Sequence, residues 1–166
     1  MKKLVLLISF AVSVSACTKS IPEDEEFLRW LNDESTDIAH VLVTRSVPVV
    51  LDSANCGIVW ESIVVEPIKG TLAKDQRIRV LGPGNPDDWQ MGERLMFLGD
   101  MSAEPDDACS EHLFTSYKSL QWSCCEIRRT EGHLYVQFIT MINSEMRGKD
   151  VPVPAVKVFD LLRSWN

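Results

Sequence analysis

The sequence has little positive charge and no long apolar run. Its 17 Lys and Arg side chains stand against 24 Asp and Glu, and the formal net charge is −7 at pH 7. A protein that neutralises nucleic-acid phosphates needs a basic surface, so this balance argues against a nucleic-acid partner. The apolar stretch of residues 4–14 would rise only about 16 Å as a helix, roughly half of a bilayer core. It is too short to remain as a transmembrane anchor.

Catalytic signatures are also missing. The chain contains no Gly-x-Ser-x-Gly, no Ser-x-x-Lys and no His-Glu-x-x-His, and Gly82-Pro83-Gly84 is a turn because no helix pattern opens after it. The acidic clusters lack the alternation of a calcium loop. An enzyme of another type would need Glu111, His112 and Cys124 to come together in space. These absences predict a non-catalytic domain without cofactor or metal.

The N-terminus has the three parts of an export signal. Lys2 and Lys3 precede the apolar stretch, and two small residues, Ser15 and Ala16, follow it. The sequence predicts a signal peptide over residues 1–16, a tether over residues 17–22 and one domain over residues 23–166. Loss of Lys2 and Lys3 leaves 15 of the 17 basic side chains against 24 acidic ones, a net charge of −9.

The four residues Val14-Ser15-Ala16-Cys17 resemble a lipobox, the signal after which bacteria attach lipid to the cysteine and cleave in front of it. This resemblance implies a lipoprotein anchored through Cys17 in the cell envelope and facing the periplasm. Thr18, rather than Asp, follows the cysteine, which by the same resemblance implies the outer membrane. An envelope protein is then a possible partner. The alternative is an ordinary signal-peptidase site and a secreted soluble protein.

The number of cysteines agrees with lipid on Cys17. Cys56, Cys109, Cys124 and Cys125 are then an even set of candidate disulfide cysteines, as an oxidising compartment favours. A bond between the adjacent pair would be strained, so the favoured sets join Cys56 to one of the pair and Cys109 to the other. On a strand, the adjacent pair would point to opposite faces. A zinc site with His112 or His133 would lack the usual Cys-x-x-Cys spacing.

Periodicity predicts strands between two helices. A helix is expected after the tether, ending near Asn32 and docking on the domain through its apolar residues Phe27, Leu28, Trp30 and Leu31. A closing helix is indicated by the helical spacing of Val156, Phe159, Leu162 and Trp165. Seven or eight strands are expected between them. They are residues 38–44, 47–51, 57–68, 77–81, 94–99, 113–117, 120–128 and 133–142. The sum is a small β-barrel or sandwich with flanking helices.

One part of the chain resembles the bacterial relatives of the tissue inhibitors of metalloproteinases. The matching segments are DIAHVLV at residues 37–43, VVEPIKG at 64–70, IRV at 78–80 and GERLMFL at 92–98. The resemblance implies a mainly β fold, a small OB-type (netrin-like) β-barrel with short flanking helices.

The activity of that family does not transfer directly. The animal inhibitors bind the catalytic zinc through an N-terminal cysteine held by a second cysteine two residues later. Cys17-Thr18 matches their first two residues, but the third is Lys19, and lipid on Cys17 would block the amine. We therefore expect a non-catalytic binding or structural domain. The alternative is a peptidase inhibitor that acts through a loop at the barrel edge.

Overall fold

A computed structural model of the chain describes residues 22–51, 54–82, 91–100, 117–120, 125–142, 145–148 and 152–166. Two helices lie at the ends of this part, α1 (Pro22–Glu34) and α2 (Ala155–Ser164). The strands between them are β1 (Asp37–Leu51), β2 (Ala54–Lys69), β3 (Arg77–Gly82), β4 (Gly92–Asp100), β5 (Tyr117–Ser119), β6 (Glu126–Thr130), β7 (His133–Gln137), β8 (Ile139–Ile142), β9 (Glu145–Gly148) and β10 (Val153–Pro154).

Five strands close into a ring in the order β1-β2-β3-β5-β4. The ring closes because β1 pairs with β2 along one edge and with β4 along the other. All of these pairs are antiparallel except β3 with β5, which is parallel. This is the strand order of an OB-type barrel, a five-stranded Greek-key closure that leaves few free sheet edges. The expected mainly β fold is confirmed.

β1 is longer than the sequence pattern predicts. We expected two strands, residues 38–44 and 47–51, the second interrupted by Pro48, but one strand runs from Asp37 to Leu51. Beyond Val43, β1 pairs with β2 and has no pairing with β4, so its second edge needs no backbone donor at Pro48. A proline that would break a central strand is therefore accommodated at this edge.

Apolar side chains form two cores on the two sides of the barrel wall. The barrel interior contains Leu72, from the connection between β2 and β3, together with alternate residues of the ring strands, which are Ala39, Val41, Val43, Ile58, Trp60, Val64, Ile78, Val80, Met96 and Leu98. The second core lies on the outer side of β1 and β4, where Ile38, Leu95 and Phe97 meet both helices, β6 and β7. Leu95 to Leu98 are consecutive and fully buried, as expected of a strand covered on both faces.

Both helices pack on this outer core. Leu28 and Leu31 bury the inner face of α1, and α2 buries Val158, Phe159 and Leu162. The expectation that Phe27 and Trp30 also dock on the domain was wrong, because both side chains lie exposed beside the buried face. The prediction of Val156 in the buried face was wrong, because its side chain is 62% exposed and Val158 lies inside instead. Among the described residues, neither helix has the length and apolar character needed to cross a membrane.

The later strands differ most from the prediction. One strand was expected over residues 120–128, but β6 begins only at Glu126, and Cys125 has a positive φ of 78° that a strand does not allow. Another was expected over residues 133–142. It is divided at Phe138, since β7 joins the main sheet while β8 pairs with β9 in a separate hairpin. Continuous alternation in sequence does not show that the hydrogen-bonding partner changes.

Candidate functional site

The outer side of β1, β2 and β3 carries a group of arginines, which we call the arginine face. In one row Arg45, Glu61 and Arg79 lie opposite one another, and in the next Leu42, Ile63 and Arg77 do. Residues directly opposite in neighbouring strands share a side of the sheet. Three guanidinium groups and two aliphatic side chains therefore surround a single carboxylate.

The arginine face is positively charged on an acidic chain. Arg45 reaches Glu61 at 3.9 Å between Nη1 and Oε2, a distance at which an exposed pair adds little stability. Within the described part of the chain, Arg77 and Arg79 form no salt bridge. A surface groove of about 520 Å³ passes between them and is lined also by Thr44 and Ile63. Two unpaired guanidinium groups beside a groove can bind a carboxylate through paired hydrogen bonds.

A bulge in β1 brings the first of these arginines into position. The pairing with β2 shifts between Val43 and Arg45, and the Thr44 hydroxyl donates to the Glu61 carbonyl at 2.9 Å. A bulge adds one residue to one strand, so Arg45 points outward although Val43, two positions earlier, points into the barrel. The sequence shows Arg77 and Arg79 alternating on one strand but does not show the bulge. For that reason the arginine face was not predicted.

A buried polar cluster lies beside the arginine face on the outer side of β1, under α2, and its Glu93 of β4 is directly opposite Leu42. The His40 side chain is 1% exposed, and its Nε2 lies 2.9 Å from Oε2 of Glu93. Arg129 donates to the other carboxylate oxygen of Glu93 at 3.5 Å. The Phe159 ring covers His40, with 5.9 Å between ring centroids. The cluster thus joins β1, β4, β6 and α2.

Burial controls the protonation of this histidine. Removal from water lowers the pKa of His40, and Arg129 lowers it further, whereas Glu93 and Glu66 act in the opposite direction. The neutral imidazole is therefore favoured. Because the ring is enclosed, a dissolved substrate has no direct path to it, and we interpret the pair as a contact that fixes the packing of the layers.

A second groove of about 460 Å³ lies between α2 and β7. Its lining is mainly apolar, with Leu134, Tyr135 and Val156, and the Phe159 ring separates it from His40. At its margin, Arg163 of α2 contacts the carboxylate of Glu66. This pair neutralises itself, so the groove offers less electrostatic selectivity than the arginine face.

The residues singled out from the sequence fall mostly outside the described part of the chain. Cys17, Cys109 and Cys124 lie there, and Cys56 is in β2 but its side chain is not described. Cys125 is fully buried and is not a side chain without a partner. Its positive φ means that the expected opposite orientation of the adjacent cysteines in a regular strand does not apply. The disulfide pairing stays a prediction.

The other chemical alternatives receive no support from the described residues. Glu111 and His112 are outside them, while His133 is exposed at the start of β7. No group of three or more His, Cys, Asp or Glu that could hold a metal occurs among the side chains that the structure describes. The expectation of a domain without metal, cofactor or catalysis stays a prediction.

Comparison with known proteins identifies no relative. No protein-family model matches the chain, and no curated protein or solved structure is significantly similar to it. The fold and the surface of the chain itself are therefore the basis for a functional proposal.

Proposed function

We propose that this chain is a lipid-anchored, non-catalytic binding domain of the cell envelope, and that it binds an acidic segment of an envelope protein. Lipid on Cys17 anchors the chain, and the folded domain, an OB-type barrel of the netrin-like kind, faces the periplasm. The arginine face is the binding surface. The observation that carries the binding proposal is the position of Arg45 of β1 and of Arg77 and Arg79 of β3 on either side of the Glu61 carboxylate of β2.

The N-terminal sequence supports the anchor. A basic start, a short apolar stretch and small residues lead directly to Cys17. Attached acyl chains bind to a bilayer with about 0.8 kcal/mol for each buried methylene, so two or more chains give a stable anchor. The proposal places the folded domain a few residues from the membrane surface.

Charge and shape support an acidic peptide as the ligand. The arginine face has three positive charges and one negative charge, whereas the chain as a whole is at −7. Leu42 and Ile63 lie among the arginines and offer apolar contact. An extended segment with alternating acidic and aliphatic side chains matches both features, because guanidinium groups pair with carboxylates in a fixed geometry.

The anchor is tested by expressing the full chain and a Cys17→Ser variant in a bacterium that processes lipoproteins. Cells receive a clickable fatty acid, and the proteins are fractionated and weighed intact. We expect label, a mass increase and membrane association for the unchanged chain and none of these for Cys17→Ser. Equal labelling of both proteins, or an unlabelled soluble wild type, would show that Cys17 is not the lipid site.

The binding surface is tested by titrating the full chain with a peptide of alternating Glu and Leu, and with the same peptide carrying Gln for Glu. We expect binding of the acidic peptide that weakens as salt is added, and a loss of at least about tenfold in affinity for the double variant R77Q/R79Q, roughly 1.4 kcal/mol. The Gln peptide should bind weakly to every protein.

A charge-matched variant provides the control. R128Q/K157Q removes two exposed positive charges from β6 and α2, outside the arginine face, and has the same net charge as R77Q/R79Q. It should bind the acidic peptide as the unchanged chain does. Equal weakening in the two double variants would attribute binding to net charge alone and would reject the arginine face.

A peptidase inhibitor is the second candidate. The observation that favours it is the tip of the β1–β2 hairpin. Val49 to Leu51 pair with Ala54 to Gly57 of β2, and among the described residues neither segment pairs with β3 or β4, so that a short two-stranded arm leaves the ring. Such an arm could enter the cleft of a peptidase. The test is to mix the purified domain with extracytoplasmic metalloproteases. Unchanged protease activity with the domain in large excess would dispose of this candidate.

A further inference from the structure

Helix α1 exposes two aromatic side chains on one flank. Phe27 and Trp30 are 39% and 52% exposed, and their rings stack with 6.0 Å between centroids. Their spacing of three residues puts them on one side of the helix, away from the buried Leu28 and Leu31. The domain therefore presents a small aromatic surface that its own core does not cover.

This surface lies close to the proposed lipid anchor. Only five residue steps separate Cys17 from Pro22, where α1 begins, and a fully extended chain of that length spans at most about 18 Å. Phe27 follows about 7 Å further along the helix, and Trp30 about 5 Å beyond it, at the usual rise per residue. A lipid on Cys17 would thus hold both rings within reach of the bilayer surface.

We infer that Phe27 and Trp30 insert into the interfacial region of the bilayer that holds Cys17, and that this second contact fixes the orientation of the domain. The inference rests on the proposed lipid anchor. Aromatic side chains favour the boundary between headgroups and acyl chains, where an apolar ring and a polar edge are both accommodated. The lipid anchor attaches the chain to the bilayer, and the two rings set the orientation of the domain relative to the bilayer.

Helix α1 is joined to β2 and to the end of α2 by contacts that can transmit this direction. The Arg29 guanidinium lies 4.5 Å from the Trp165 ring centroid at the end of α2. Lys69 of β2 donates to the Asn32 carbonyl at 2.6 Å, and Asn166 donates to the Asn32 side chain at 3.2 Å. A contact that fixes α1 on the membrane therefore also fixes the barrel and the arginine face.

Charge selects the kind of membrane surface. Residues 22–34 contain six carboxylates and one arginine, so an anionic bilayer would repel the helix. A zwitterionic surface rich in phosphatidylethanolamine avoids this repulsion and offers ammonium groups to the carboxylates. The aromatic surface therefore contacts a zwitterionic lipid surface. Added salt should improve its contact with anionic bilayers, because salt screens the charge repulsion.

The experiment uses the full lipidated chain in vesicles of phosphatidylethanolamine and phosphatidylcholine, with acyl chains either ordinary or brominated near the headgroup. The difference in fluorescence between the unchanged chain and Trp30→Phe isolates the emission of Trp30 from that of the other tryptophans. We expect bromine to quench this emission. Added phosphatidylglycerol should reduce the quenching at low salt, and high salt should restore it.

A pair of double variants tests the consequence for orientation. F27S/W30S should change the accessibility of the arginine face to a large guanidine-reactive probe on vesicles but not in detergent. M91S/V156S, which removes two other apolar side chains that are 67% and 62% exposed, should behave as the unchanged chain does. Identical behaviour of both double variants on vesicles would reject an orienting role for the aromatic pair.

Flotation of the vesicles separates the two ways in which the inference could fail. If the unchanged chain does not float with vesicles, the lipid anchor is wrong and this inference falls with it. If the chain floats but the Trp30 emission is the same with ordinary and brominated lipid, the anchor stands and the aromatic contact is rejected.

Discussion

Nε2 of His40 lies 2.9 Å from Oε2 of Glu93, although almost no part of the His40 side chain reaches solvent. Burial of an imidazole disfavours its charged form, and the nearby carboxylates of Glu93 and Glu66 only partly offset this cost. The contact links β1 to β4 across the closure of the ring, and Phe159 of α2 covers it. Its protonation should therefore be coupled to the stability of the whole domain.

The free energy of unfolding should fall as the pH is lowered below about 6.5. Since the pKa of His40 is lowered in the folded state, its contribution is fully present above the pKa of the unfolded chain and is lost as the pH falls toward the folded pKa. One such group changes stability by up to about 1.4 kcal/mol per pH unit in that window. Urea denaturation between pH 7 and 5 measures the change.

Variants isolate the part due to His40. His40→Gln should reduce the loss of stability between pH 7 and 5, whatever its stability at pH 7. His133→Gln, at an exposed position, should keep the slope of the unchanged chain. If His40→Gln has the same slope as the unchanged chain, His40 does not carry this pH dependence.

Gly70→Ala should destabilise the domain strongly. Gly70 has a φ of 89°, and an added Cβ would lie 2.2 Å from Oδ1 of Asp37, too close for non-bonded atoms. A left-handed backbone alone costs about 1–2 kcal/mol for a residue with a side chain. Displacement of the Asp37 carboxylate would add roughly 1–3 kcal/mol to the loss of stability, because the backbone N–H groups that donate to it would lose their acceptor.

Gly132 provides the matched control for Gly70. Its φ of 80° is similar, but an added Cβ would meet no atom within 4 Å. Gly132→Ala should therefore show the backbone cost alone. Thermal unfolding of the two variants measures the difference, and an equal fall in Tm would show that the contact with Asp37 is unimportant.

Replacement of Asp37 should distinguish its hydrogen bonds from its charge. Oδ1 accepts from the backbone N–H of Thr71 at 2.6 Å and of Leu72 at 3.2 Å. Asp37→Asn retains an acceptor oxygen, whereas Asp37→Ala leaves both donors unpaired, so the Ala variant should be less stable by about 1–3 kcal/mol. Chemical denaturation measures this, and equal stability of the two variants would contradict it.

Ser62→Ala should leave stability unchanged or raise it. The Ser62 hydroxyl is buried on the inner side of β2 and has no hydrogen-bond partner among the residues that the structure describes, so its removal should end a desolvation cost. Ser35 is the comparison, because its buried hydroxyl donates to the Leu31 carbonyl at 2.5 Å. Ser35→Ala should lose about 1 kcal/mol. A larger loss for Ser62→Ala, by urea denaturation, would show that its hydroxyl has a partner in solution.

Much of the fold could be read from local patterns. The apolar residues at helical spacing in α1, the alternation in β3 and the consecutive apolar residues of β4 each predicted the right element. The pairing of the strands was harder to predict from the sequence. The division at Phe138 and the late start of β6 depend on which strands hydrogen-bond to which, and on the backbone of Cys125, and neither leaves a periodic signal.

The candidate site, too, was predictable only in part from the sequence. The residue types were visible, since Arg77 and Arg79 alternate in the sequence, but a bulge two strands away decides that Arg45 joins them. His40 was visible only as a histidine within a strand. Its burial and its contact with Glu93 come from the closure of the ring, which brings residues 53 positions apart to hydrogen-bonding distance.

The sequence by itself determined the acidic composition, the export-like N-terminus and the alternation that makes strands, because these depend on residue types and on neighbours along the chain. Only the tertiary structure decided which side chains are enclosed and which lie together on the surface. The physical reason is that strand pairing is non-local: a one-residue bulge turns every later side chain to the other side of the sheet. The placement of the arginine face depends on such a bulge.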